Sequence, residues 1–131
     1  YGWIGAYARF FFGVDNHEFL MGGRFLGADA ERSAYGYTGC ESTSRLLFKL
    51  PYGFELAPFA AYTWENYNGP ATVLESGDRR DERLRLGSAL IWRIDEAWSL
   101  ELNYQYGKND STSDLYDYKQ HYLSLGVAWG F

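Results

Sequence analysis

Leu84-Arg85-Leu86-Gly87-Ser88-Ala89-Leu90-Ile91-Trp92-Arg93-Ile94 alternates two kinds of side chain without a break. Leu84, Leu86, Ser88, Leu90, Trp92 and Ile94 share one face, and Arg83, Arg85, Gly87, Ala89, Ile91 and Arg93 share the other. A period of two is that of a strand, and this contrast between faces makes it a half-buried one. Asp95-Glu96-Ala97 follows as a short turn. Beyond it Trp98, Leu100, Leu102, Tyr104 and Tyr106 alternate with Ser99, Glu101, Asn103, Gln105 and Gly107. Lys108 to Asp114 reads as a longer polar loop. A last strand runs from about Tyr116 to Phe131, with Leu123, Leu125, Val127, Trp129 and Phe131 on its apolar face.

Toward the N-terminus the same signal continues, less sharply. Leu56, Pro58, Ala60, Tyr62 and Trp64 alternate with Glu55, Ala57, Phe59, Ala61, Thr63 and Glu65, before a long polar loop from Asn66 to Asp81. Leu46, Phe48 and Leu50 alternate with Arg45, Leu47 and Lys49, and Pro51-Tyr52-Gly53 is the turn that follows. Tyr35 and Tyr37 mark a separate short strand before Cys40. Phe19 to Phe25 and Ile4 to Phe12 supply two more strands, joined by a hairpin at Asp15-Asn16. The expected total is eight strands in a single domain spanning residues 1–131.

Composition agrees. Aromatics make up 20% of the 131 residues and Gly 15 of them, against only 3 Pro. That mixture is strand-rich and helix-poor. A net charge of −5 excludes a basic nucleic-acid footprint. No apolar run approaches the ~18 residues of a membrane-spanning helix. A transmembrane barrel stays compatible with the mean hydropathy of −0.38, because half of its side chains avoid lipid. Cys40 is the one cysteine, so no intramolecular disulfide is expected. The chain opens at Tyr1 with no signal peptide, so either a leader has been removed or the sequence is part of a longer one.

Charge parity narrows the class to two. Arg9, Glu18, Arg24, Arg45, Lys49, Glu55, Glu65, Arg83, Arg85, Arg93 and Glu101 all fall on the face opposite the aliphatic and aromatic one. A charge facing lipid at mid-membrane costs about 2–4 kcal/mol, so a lipid-facing surface excludes charge. A soluble β-sandwich shows the same parity with its apolar face inward. Three features favour the membrane. Trp64, Trp92, Trp98 and Trp129 lie near strand ends, where aromatic girdles belong. Tight turns alternate with long loops, although Leu26 to Ala34 is too long for the turn expected there. Strands of ~10 residues, tilted by ~40°, cover an apolar band of ~25 Å. The expected fold is all-β, an antiparallel up-and-down transmembrane β-barrel of the bacterial outer membrane with both termini periplasmic.

The last residues carry a resemblance. Ser124-Leu125-Gly126-Val127-Ala128-Trp129-Gly130-Phe131 is similar to the C-terminal signal that outer-membrane barrels present to their assembly machinery, with Ser124, Gly126, Trp129 and Phe131 at its fixed positions. With Arg79-Arg80-Asp81, Trp98, Asn109-Asp110-Ser111 and Tyr116-Asp117-Tyr118, the segment from roughly Leu50 to Phe131 resembles the surface lipoprotein assembly modifier family and related β-barrel porins. That resemblance implies a larger barrel than eight strands, often behind a periplasmic helical-repeat domain. It also implies a pore or translocator for solutes or surface-exposed protein.

Catalytic chemistry finds little support. His121 has Ser124 and Asp117 nearby, but strand parity puts His121 and Ser124 on opposite faces, against a Ser-His pair. Asp110, Asp114 and Asp117 match no twelve-residue calcium loop and read as a solvated acidic loop. No catalytic residue, metal or cofactor is expected. The charged residues Arg9, Arg24, Arg45, Lys49, Glu55, Glu65, Arg83, Arg85, Arg93 and Glu101 are the candidates for a lumen lining. In a closed eight-stranded barrel, Arg83, Arg85, Arg93 and Glu101 would join Glu55 and Glu65 in a solid polar core. In a wider one they would line a water-filled path favouring anions. A non-catalytic anchoring barrel that binds a partner through its loops is the competing function. Expected partners are outer-membrane lipid and lipopolysaccharide, the barrel assembly machinery during insertion, and other subunits or a surface protein; nucleic acid is not among them.

Overall fold

Seven strands form along the chain in the computed structural model, which describes residues 2–28, 36–69 and 77–129. They are β1 (Gly2–Phe12), β2 (His17–Ala28), β3 (Tyr37–Lys49), β4 (Phe54–Tyr67), β5 (Arg80–Arg93), β6 (Trp98–Ser111) and β7 (Tyr118–Trp129). Each pairs antiparallel with its sequence neighbours, so the sheet order is β1-β2-β3-β4-β5-β6-β7. The fold is therefore all-β and up-and-down. Among the described residues helix is confined to two single turns of 3₁₀ type, Pro51–Gly53 and Asp114–Tyr116.

The count of eight is corrected to seven among the described residues. What reads as two strands, near Tyr37 and from Arg45 onward, is one continuous strand, β3. Its middle, Gly39-Cys40-Glu41-Ser42-Thr43-Ser44, carries small or polar side chains on both faces, which hides the alternation. Pairing with β2 and β4 on either side holds it extended. Tyr35 lies outside the described residues.

Merging those strands also removes the misfit at Leu26 to Ala34. Three connections are tight and lie at one end of the sheet: 13–16, 50–53 and 94–97. The other three pairs of strand ends, Ala28 and Tyr37, Tyr67 and Arg80, and Ser111 and Tyr118, lie at the opposite end and are separated by more residues. The tight turns are built locally. Asp95 Oδ1 accepts hydrogen bonds from the backbone N–H groups of Ala97 and Trp98, both at 2.8 Å. At Tyr52 and Gly53 the chain takes left-handed φ values of 62° and 79°, and at Gly53 a Cβ would stand 2.5 Å from the Arg93 carbonyl. Because seven is odd, Gly2 lies at the long-loop end and Trp129 at the short-turn end. The expectation of both termini on one side needs an even count, and the described ends are on opposite sides.

The register separates the faces as the alternation requires. Arg45 stands opposite Phe59 and Leu20, and Arg85 stands opposite Ala61 and Gly107, all on one face. Leu86, Leu90, Leu102, Leu125 and Val127 occupy the other. The sheet curls around the charged face: a single cavity of about 320 Å³ is lined by Arg24 and Leu26 of β2 and by Tyr118 of β7. Phe59 helps this curl by lying across Gly87, where its ring occupies the place of a Cβ. Burial consequently runs opposite to a water-soluble fold. Thr63, Glu65 and Asp81 on the charged face are 6%, 6% and 2% exposed, whereas Ile4, Phe25 and Leu125 on the apolar face are 73%, 70% and 73% exposed. Among the described residues no second sheet covers the apolar face.

The sheet is not closed. β1 and β7 have no ladder between them, so each presents one free backbone edge among the described residues.

Candidate functional site

The charged face forms a trough, and its lining grows from the period-two alternation of six strands. Arg9 and Glu18, on β1 and β2, lie 3.3 Å apart near the first hairpin. Arg24 of β2 contacts Glu41 of β3 at 3.0 Å, and Arg85 of β5 reaches the other oxygen of the same carboxylate at 3.6 Å. The Thr63 hydroxyl donates to Glu41 as well, at 3.2 Å. Glu41 thus ties four strands together. Arg83 pairs with Glu65, which also accepts from the Tyr67 hydroxyl at 3.0 Å. Arg93 pairs with Glu55 at 3.2 Å toward the short-turn end. Glu101 accepts from the Asn103 amide at 2.7 Å rather than from an arginine.

At the long-loop end Arg79 builds a clasp. The Arg79 guanidinium makes two hydrogen bonds to Asp81, at 3.0 and 2.7 Å, and stacks 3.8 Å from the ring centres of both Tyr67 and Tyr116. Burial is the largest single influence and works against the Arg79 charge, but the hydrogen bonds and charge of Asp81, together with Tyr67 and Tyr116, outweigh it and hold its pKa above the ordinary arginine value. Ser111 donates to Asp81 at 2.6 Å, and the Asn109 amide donates to the Tyr116 carbonyl at 2.7 Å. These bonds draw Tyr116 into a turn, so β7 begins at Tyr118 and not at Tyr116.

The apolar face is banded at both ends. Phe54 stacks on Trp92 at 5.4 Å and Trp98 on Trp129 at 5.6 Å at the short-turn end, and Phe12, His17 and Phe48 cluster beside them. Trp64 lies toward the long-loop end under Arg80. Charges on this face, Arg80, Glu82, Lys108, Asp110 and Lys119, occur only toward the long-loop end.

All ten expected lining residues fall on the charged face. The pairing among them differs in detail. Glu65 and Glu55 do hold Arg83 and Arg93, but Arg85 turns to Glu41, which sequence reading missed because its strand was divided there. Asp81, Arg79 and Asn109 were missed because they were assigned to loops. Arg45 and the Lys49 ammonium have no ion-pair partner among the described residues. Ser124 and Gly126 sit on the charged face and Trp129 on the apolar one, while Phe131 lies outside the described residues. His121 sits on the apolar face, 2.9 Å from the Tyr104 hydroxyl, with Ser124 on the opposite face.

Compared with known proteins, the chain matches the sequence model described as surface lipoprotein assembly modifier, over residues 9–131. No curated protein and no solved structure matches it.

Proposed function

The chain belongs to the surface lipoprotein assembly modifier family, and from that membership we propose that its sheet is part of the wall of an outer-membrane β-barrel whose charged face lines a passage for surface-exposed protein or solutes. One observation carries the reading: along the central strand β4 the charged face is the buried one, with Ala57, Ala61, Thr63 and Glu65 nearly enclosed, while large side chains of the apolar face such as Ile4, Phe25 and Leu125 stand open. In water this arrangement strands the hydrophobic surface, and in lipid it is the stable one. Outer-membrane lipid and lipopolysaccharide are then the partners of the apolar face, and the assembly machinery is the partner of the sequence signal Ser124 to Phe131. The role is transport or export, with no catalytic step.

The free edges bear on the width of the passage. Unpaired backbone groups are not tolerated in the hydrocarbon region, so β1 and β7 must each gain a neighbour. Both run in the same direction, so antiparallel pairing on both sides takes an odd number of further strands. Barrel diameter grows with strand number, and walls of roughly 16–18 strands leave an aqueous channel. Planar-bilayer conductance of the full-length protein tests the passage; stepwise channel currents are expected, and a refolded protein that carries none counts against it.

A second reading has its own support. Most of the arginines in the trough are already neutralised by Glu18, Glu41, Glu55 and Glu65, as a solid polar interior would require. In that case the protein is a non-catalytic anchoring barrel that binds a partner through its long loops. It would refold as a heat-modifiable monomer without conductance.

A further inference from the structure

The charged face is interrupted at its centre. Leu20 of β2, Ala57, Phe59 and Ala61 of β4, and Ala89 and Ile91 of β5 line a cavity of about 550 Å³. That size lies within the ~300–1,000 Å³ of small-molecule sites. A surface that only conducts water and ions has no use for such an apolar floor. Two arginines stand on its rim. Arg45 on β3 and Arg85 on β5 stand on either side of the strand that carries Phe59 and Ala61. The Arg45 guanidinium has no hydrogen bond or ion pair among the described residues, and the Arg85 guanidinium has only the 3.6 Å contact to a carboxylate that Arg24 holds more closely. The acid on the rim, Glu101, is engaged by the Asn103 amide.

We propose that this cavity is a binding subsite for an aliphatic chain bearing a carboxylate or phosphate group, with the chain on the Phe59–Ile91 floor and the anion at Arg45 and Arg85. It rests on the reading that the charged face borders an aqueous passage. An unpaired guanidinium beside apolar surface binds such an amphiphile through a charge-assisted, forked hydrogen bond at one end and area burial at the other.

The test uses the full-length protein in lipid nanodiscs, with Cys40→Ser removing the native thiol and Thr43→Cys, also in the cavity lining, as the reporter. A charged maleimide that does not enter lipid should modify Thr43→Cys readily. Dodecanoate or dodecyl phosphate should slow that modification severalfold, and the one that does so at lower concentration identifies the head group. Dodecanol, acetate and inorganic phosphate should not slow it. Arg45→Gln should abolish the protection and Arg45→Lys should retain part of it. Rapid modification that neither amphiphile slows, or protection that survives Arg45→Gln, overturns the subsite and leaves the passage intact. A Thr43→Cys thiol that never reacts shows a face closed to water and overturns both.

Discussion

Arg24 Nε lies 3.0 Å from Glu41 Oε1, joining β2 to β3 at the stretch where the sequence looks least like a strand. The contact is one of charge rather than a directed hydrogen bond, since the Arg24 Nε–H has no acceptor in line. Glu41 is nearly enclosed, with a side chain 10% exposed, and holds Arg85 and Thr63 as well. Glu41→Gln should therefore lower the stability of the folded state by about 1–2 kcal/mol, since it leaves two guanidiniums without their counter-charge. Glu18→Gln, whose partner Arg9 is half exposed, should cost less than about 1 kcal/mol. Urea-unfolding midpoints in vesicles check the order, and equal effects would contradict the assignment of Glu41 as the hub.

Leu102 is on the apolar face between Leu90 and Leu125, well away from the charged residues of the long-loop end. Leu102→Arg should destabilise the inserted protein by about 2–4 kcal/mol if hydrocarbon covers that face. Thr43→Arg on the opposite face should be tolerated within about 1 kcal/mol, apart from any packing strain. The measurement is the refolding yield and unfolding free energy of each variant in lipid vesicles. A tolerated Leu102→Arg would move the apolar face out of the membrane.

The free edges make a prediction about cross-linking. Asn103 and Ser124 are register partners across β6 and β7, so a double cysteine variant there, in a Cys40→Ser background, should oxidise to a disulfide. Tyr7 and Ser124, on the two outermost strands, should give no disulfide within one chain. Mass spectrometry of the oxidised proteins separates the two cases. An intramolecular Tyr7–Ser124 bridge would show that β1 meets β7 and that the wall closes on seven strands.

Arg79 supplies both a forked hydrogen bond and two ring stacks, a combination only a planar guanidinium makes. Arg79→Ala should loosen Tyr116 and speed protease cleavage within residues 112–117 of the inserted protein, with little change in overall stability. Arg79→Lys should behave almost like alanine, because an ammonium keeps the charge but loses the fork. Unchanged cleavage in both variants would mean that the backbone, through the Asn109 amide, holds the turn without Arg79.

The faces were legible residue by residue. Arg83, Arg85 and Arg93 were separable from Leu84, Leu86 and Leu90 because side-chain direction along a strand depends only on whether a position is odd or even. Strand ends were less legible. β6 runs on to Ser111 although Lys108-Asn109-Asp110 looks like a loop, because pairing of Asn109 with Tyr118 and Arg83 keeps it extended. β3 was read as two pieces because Ser42 and Ser44 take places where apolar residues were expected, and two ladders outweigh a weak local pattern.

Sequence alone determined that this chain forms strands with one charged and one apolar face, because alternation is a local property that each strand expresses by itself. Only the tertiary structure decided that, among the described residues, the strands number seven, the ends lie on opposite sides, and the sheet stays open. It alone brought Arg85 to Glu41 and Arg79 to Tyr116, and set Arg45 beside an apolar floor. Those relationships join residues far apart in the chain, and they depend on register and curl, which no single strand encodes.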